Sequence, residues 1–176
     1  MKRYISAVLM LSLPGACIAQ AEDDPWSPAR AGKIECVNPD FARKTCDSMA
    51  VYHWNNDGTI ISEDTSILIG MPGIVQSGRT EMTQQGSRMC VVLDARQIEA
   101  TTFQRDGREV SPQEADGYRR SLLADYEPAF GRKLCADISP YGNQYIVQFT
   151  VDGNELPSAT ARLAWIDAKD GFQLSN

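Results

Sequence analysis

The chain carries a single histidine, His53, set between Tyr52 and Trp54. Any Ser-His-Asp or Cys-His nucleophilic chemistry has to use that ring, and no G-x-S-x-G elbow accompanies it. Paired carboxylates are the next chemistry to seek, because two of them can cleave a glycoside as acid and base or nucleophile. The candidates are Glu63-Asp64, Asp116 with Asp125, and Asp167 with Asp170. Asp57-Gly58 and Asp170-Gly171 place Asp beside Gly, where turn chemistry favours it for backbone reasons. The same segments lack the alternating oxygen ligands that an EF-type calcium loop needs before its glycine. No H-E-x-x-H, Walker loop or G-x-G-x-x-G is present. The sequence therefore assigns no catalytic residue, no metal ligand and no cofactor, and an acid-dependent hydrolase is the enzymatic alternative.

Four cysteines follow residue 21: Cys36, Cys46, Cys90 and Cys135. No C-x-x-C spacing occurs, and one histidine supports no mixed zinc site, so two disulfides are the expected use. Four thiolates on one zinc ion are the alternative. The expected pairing is Cys36–Cys46 with Cys90–Cys135. Cys36 precedes an expected helix start and Cys46 lies about two turns into it, so a bridge would pin the incoming segment to the helix. Cys90 and Cys135 sit in strand-like runs, each on the more polar parity, where two strands of one sheet bring them to a common face.

That use requires an oxidising compartment, and the N-terminus supplies the route. Met1-Lys2-Arg3, an apolar run from Ile5 to Leu13 and Ala19-Gln20-Ala21 read as the n-region, h-region and A-x-A cleavage site of a secretory signal over 1–21. About nine strongly apolar residues are too few to cross a ~30 Å hydrocarbon core. Cys17 as a lipid acceptor is the weaker reading, since Pro14 stands where a lipobox places Leu. Cleavage after Ala21 leaves 15 basic against 23 acidic residues, net −8. No Lys/Arg cluster remains, which argues against nucleic acid and anionic membranes as partners. No later segment is long and apolar enough to span a bilayer.

The elements that must position these residues come next. Residues 22–33 read as a polar linker with Pro25 and Pro28, in which Trp26 folds back onto the domain. Asn38-Pro39-Asp40 reads as a helix start, with Phe41, Thr45, Met49 and Tyr52 or His53 at helical spacing and Asn55 to Gly58 as its stop. Strand-like runs follow from Thr59 to Phe103, and the mostly polar stretch from Val75 to Gln84 reads as an exposed or edge strand. Ser111-Pro112-Gln113-Glu114 opens a second helix with a capping box, continued by Ala115, Tyr118, Leu122 and Tyr126 on one face. After Gly131 the pattern alternates, Tyr145, Val147, Phe149 and Val151 sharing one face, with Asp152-Gly153 and Asp170-Gly171 as turns.

The order is helix, about four strands, helix, about four strands. It predicts one α+β domain over 34–176, two helices packed on antiparallel sheet, with 34–104 and 108–176 as possible helix-plus-four-strand halves. In architecture this resembles the cystatin-like type, a likeness that carries no function. Tyr52, Trp54, Tyr118, Tyr126, Tyr141 and Trp165 are candidates to line a ligand cleft between helix and sheet. The functional expectation is an exported, periplasmic or secreted, non-enzymatic binding protein. Its partner is a protein, an envelope component or a small ligand, and the alternative is a cell-envelope hydrolase using acidic residues.

Overall fold

The computed structural model describes residues 24–156 and 160–175. The secretory signal, its cleavage after Ala21 and the reading of Cys17 lie outside the described residues.

Eight strands form the body: β1 Ile34–Val37, β2 Ser48–Trp54, β3 Thr59–Ile67, β4 Ile74–Gln85, β5 Arg88–Val92, β6 Lys133–Tyr141, β7 Gln144–Val151 and β8 Ala161–Ile166. Each pairs antiparallel with the next, and β8 pairs with β1 from Ile34↔Ile166 to Val37↔Leu163. The sheet is thus an up-and-down barrel closed on itself, which removes the open edges an eight-stranded sheet would otherwise expose. The turns are where residue chemistry allows them. At the β2–β3 turn Asp57 accepts the Thr59 N–H at 2.9 Å and Gly58 takes φ 87°, a left-handed value that glycine adopts without a Cβ clash.

This overturns the two-helices-on-a-sheet expectation. The structure is mostly β, 49% strand, and among the described residues only one helix exceeds six residues. That helix is Pro112–Tyr126, where Ser111 accepts the Glu114 N–H and the Glu114 carboxylate accepts from the Ser111 N–H and hydroxyl. The first expected helix does not form. Asn38 and Lys44 take φ of 49° and 55°, and the Asp40 carboxylate accepts from the N–H of Ala42 and Arg43, so Asn38-Pro39-Asp40 builds a tight turn. Downstream, Ser48, Ala50, Tyr52 and Trp54 share the inner face of β2 at a period of two. With Val, Tyr and Trp in the run, strand packing wins over a mixed helical pattern.

Among the described residues three α-helices dress the barrel: the short α1 Ser27–Arg30 and α2 Ala95–Glu99, and the longer α3 Pro112–Tyr126. Of the segment expected as a linker, the described part from Asp24 on is anchored to the barrel. Trp26, only 1% exposed, plugs one end of the barrel, its indole N–H donating to the Ser87 carbonyl at 2.8 Å. Around it lie Ile60, Met89, Ile138, Val147 and Leu163. At the other end α3 lies over the β3–β4 turn. There Ala115 and Leu122 pack with Leu68, Ile74 and Phe103, the last from a strand over Thr102–Arg105 that pairs with β4. A third cluster outside the barrel wall joins Cys36, Cys46, Ala164 and Ile166.

Candidate functional site

Between the Trp26 plug and the α2–α3 end lies a cavity of about 450 Å³, within the range of small-molecule sites. Strand alternation decides its walls, because every second residue of a barrel strand points inward. On β5 to β8 the inward residues are apolar: Met89 and Val91, Leu134, Ala136 and Ile138, Val147 and Phe149, Ala161 and Leu163. On β1 to β4 they are largely polar: Glu35 on β1, Ser48 and Tyr52 on β2, Ser62, Asp64 and Ser66 on β3, Gln76 and Thr80 on β4. One wall is therefore greasy and the opposite wall is acidic.

The polar wall explains β4. The stretch from Val75 to Gln84 is not an edge strand: it pairs with β3 along its length, and on its other side with Thr102–Arg105 and β5. Its alternate polar residues face the cavity, and Arg79 and Glu81 face outward.

Two carboxyls define the site. Glu35, Ala50, Asp64 and Gly78 form one register row across β1 to β4. The small residues between and beside the acids leave them room. A Cβ at Gly78 would stand 3.2 Å from an Asp64 carboxylate oxygen, so glycine keeps that space open. The Tyr52 hydroxyl donates to Glu35 Oε2 at 2.7 Å. Burial raises the Glu35 carboxyl to about 7, against the lowering effect of the Tyr52 hydrogen bond and with a further upward push from Asp64. Burial also raises Asp64, while burial and the neighbouring Glu35 carboxylate push the Tyr52 phenol well above its ordinary value. Gln76 donates to the Ser66 hydroxyl at 3.0 Å and buries its side-chain carbonyl oxygen with no partner. No Lys, Arg or His lines the cavity among the described residues. Half-buried acids that face a cavity with raised proton affinity, and no base lining it among the described residues, are a recurrent mark of functional sites.

Of the residues singled out from sequence, Asp64 lies in this site and its neighbour Glu63 points outward, 3.8 Å from His53. His53 is on the outer face of β2 with its side chain 59% exposed, away from the helix end expected for it. Asp116 pairs with Arg119 on α3, and Asp167 and Asp170 form a reciprocal cap on a short 3-10 turn. Among the aromatics, Tyr52 and Tyr126 line the cavity. Trp54 and Trp165 pack against the core around the plug, Tyr118 packs on Phe103, and Tyr141 is exposed at the β6–β7 turn. Glu35 was missed. In Ile34-Glu35-Cys36-Val37 the only local signal is one charge inside an apolar strand.

Cys36 is bridged to Cys46 and Cys90 to Cys135. Cys90 and Cys135 are direct cross-strand partners of β5 and β6 on the outer face of the barrel. Cys46 lies in a two-residue strand, Thr45–Cys46, paired with Gln173–Leu174, and no helix is involved. Two disulfides are consistent with an extracellular or periplasmic location. No helix among the described residues is long and apolar enough to cross a membrane. No protein-family model matches the chain, and neither the curated proteins nor the solved structures provide a match.

Proposed function

We infer that this is a small-molecule binding protein that encloses its ligand in the barrel. The observation that carries the reading is the cavity of about 450 Å³ with one apolar and one polar wall. Close packing is the default of protein interiors, and eight-stranded barrels either fill their centre with side chains or hold one small ligand. Here small inward residues, Ala50, Gly78, Ala136 and Ala161, stand where large ones would close the space. The outward charges Glu63, Arg79 and Glu81 stand where a membrane barrel carries an apolar band. A side groove lined by Arg79, Glu81 and Arg96 shares Met82, Val91 and Gln97 with the cavity wall.

Uptake of the neutral fluorophore N-phenyl-naphthylamine tests this directly. The wild type takes up the dye with blue-shifted, enhanced emission. Ala136→Phe, which fills the centre of the apolar wall, loses that uptake while keeping its far-UV spectrum and cooperative melt. Equal uptake by both proteins, or none by the wild type, overturns the reading.

A second reading rests on the geometry of two carboxyls, Glu35 and Asp64, that face one cavity from the same register row, with burial pushing the Glu35 carboxyl up to about 7. Such a pair can act as acid and base in hydrolysis. A screen of glycoside, ester and amide substrates decides it: turnover lost in a folded Glu35→Gln variant would make the protein a hydrolase.

A further inference from the structure

We propose that the ligand is a cationic amphiphile, an alkyl or aryl ammonium whose head sits between Glu35 and Asp64 and whose apolar tail lies along β5 to β8. The proposal rests on the cavity reading above and adds the chemical class of the occupant.

Three observations on the polar wall point to a donor-rich cation. The first is charge. Two carboxyls face one cavity with no basic side chain lining it among the described residues, and a charge withdrawn from water is stable only when paired or neutralised. An ammonium supplies the missing partner, whereas an anionic ligand would meet two like charges. The second is the hydrogen-bond inventory. The Tyr52 hydroxyl is spent on Glu35, and the Gln76 carbonyl oxygen is buried without a donor. That oxygen is an acceptor left over beside two carboxyls, and an alkyl ammonium brings N–H donors and no acceptor. The third is space. In the register row the acids share, Ala50 stands between Glu35 and Asp64 and Gly78 beyond Asp64, so the smallest residues available leave room between and beside the carboxyls. A bare metal ion fits less well, since no group of three or more His, Cys, Asp or Glu is placed to hold one among the described residues.

The rest of the cavity sets the tail. Val91, Leu134 and Phe149 face the acids across the barrel, and Leu163 lies on the strand beside Glu35. Tyr126, Leu122 and Gln76 continue from the cavity to a smaller hollow under α3, bordered by Ile69 and Met71. Ile69 is 89% exposed there, an apolar rim beside the site.

The titratable groups facing Glu35 are Tyr52 of β2 and Asp64 of β3. Its β8 partner is Trp165, and the plug offers Trp26, neither of which titrates. Glu35 ionises as the pH rises through about 7. Ammonium affinity therefore increases from pH 6 to pH 8, and bound ammonium lowers the proton affinity of both acids in return.

The test compares n-octylammonium with n-octanol, equal in tail and differing in head, by isothermal titration at pH 6 and pH 8. The wild type binds the amine about ten- to a hundred-fold more tightly than the alcohol at pH 8, the span expected for hydrogen bonds to a charged group. That ratio shrinks at pH 6 and collapses in Asp64→Asn and in Glu35→Gln. Glu63→Gln removes an outward charge next door and keeps the wild-type ratio, which separates the cavity from general attraction to an acidic protein. If the alcohol binds and the amine binds no better, or the ratio ignores both cavity variants, the ligand class is wrong and the binding cavity stands. If neither compound binds, both readings fall.

Discussion

A carboxyl held at about 7 inside a folded chain ties stability to pH. Glu35 has an ordinary value of 4.5 and releases its proton above that pH once the chain unfolds, whereas the folded barrel retains it up to about 7. The folded state therefore binds more protons between these limits, and stability falls as pH rises through that window. The full difference amounts to about 3 kcal/mol by the usual conversion. Glu35→Gln should accordingly be more stable than wild type at pH 8, by up to about 3 kcal/mol, and close to it at pH 4.5. Urea midpoints at the two pH values measure this, and parallel curves for the two proteins would show that Glu35 is not buried in this way. His53 is the opposite case. It stands outward on β2, so His53→Ala should shift stability by no more than about 0.5 kcal/mol, as surface substitutions do. The two residues also mark what a single sequence reveals. Asp64 was visible as half of an acidic pair, but which of Glu63 and Asp64 points inward depends on strand register. Glu35 was invisible because its partner acid lies 29 positions away and meets it only across β2.

Among the elements, α3 was legible because its signals are local: Ser111 and Glu114 satisfy each other within one turn. The turns at Gly58, Gly153 and Gly171 were legible for the same reason. What misled was polarity. Strands whose inward face lines a polar cavity break the link between polar and exposed, so β4 resembled an edge. Pro39 in a tight turn resembled a helix start, because Pro serves both roles by fixing φ. The segment before β1 shows the reverse error, since two prolines and three acids suggested a linker while one tryptophan anchors it. Trp26 contacts Tyr52 and Trp165 edge-on, with ring centroids 5.4 and 5.7 Å away. The Trp165 indole N–H donates to the Pro25 carbonyl at 3.1 Å, fixing the plug from the β8 side. Trp26→Ala removes the largest fully buried side chain and leaves the Ser87 carbonyl without its donor. A loss of about 3–5 kcal/mol is expected, the range for large aromatic truncations in a core. Chemical denaturation reads it out, and a loss below about 1 kcal/mol would mean that the barrel end holds without its plug.

At the scale of the molecule, closure is the property that the order of elements could not reveal. Eight strands in sequence order can lie as two separate layers or as one ring, and the difference is a single seam, β8 against β1. That seam joins the start and end of the described chain, so neither 34–104 nor 108–176 contains a complete sheet. The second segment holds β6, β7 and β8 with α3, and its outer strands lose their partners β5 and β1. Its inward residues, Leu134, Ile138, Val147 and Leu163, would then face water in place of the polar wall and the Trp26 plug. Three strands with an uncovered apolar face and two open edges tend to associate rather than fold alone. Residues 108–176 expressed alone should therefore show no cooperative unfolding transition. A circular permutant opened at Gly142-Asn143, with its old ends joined by a flexible linker, should fold and melt cooperatively. That permutant keeps every strand pair and exchanges one hairpin link for a flexible link between the old ends, a change that exposed turn sites tolerate. Far-UV spectra and thermal melts of the two proteins decide the matter. A cooperative melt for the isolated segment, or an unfolded permutant, would show that the ring is not the folding unit.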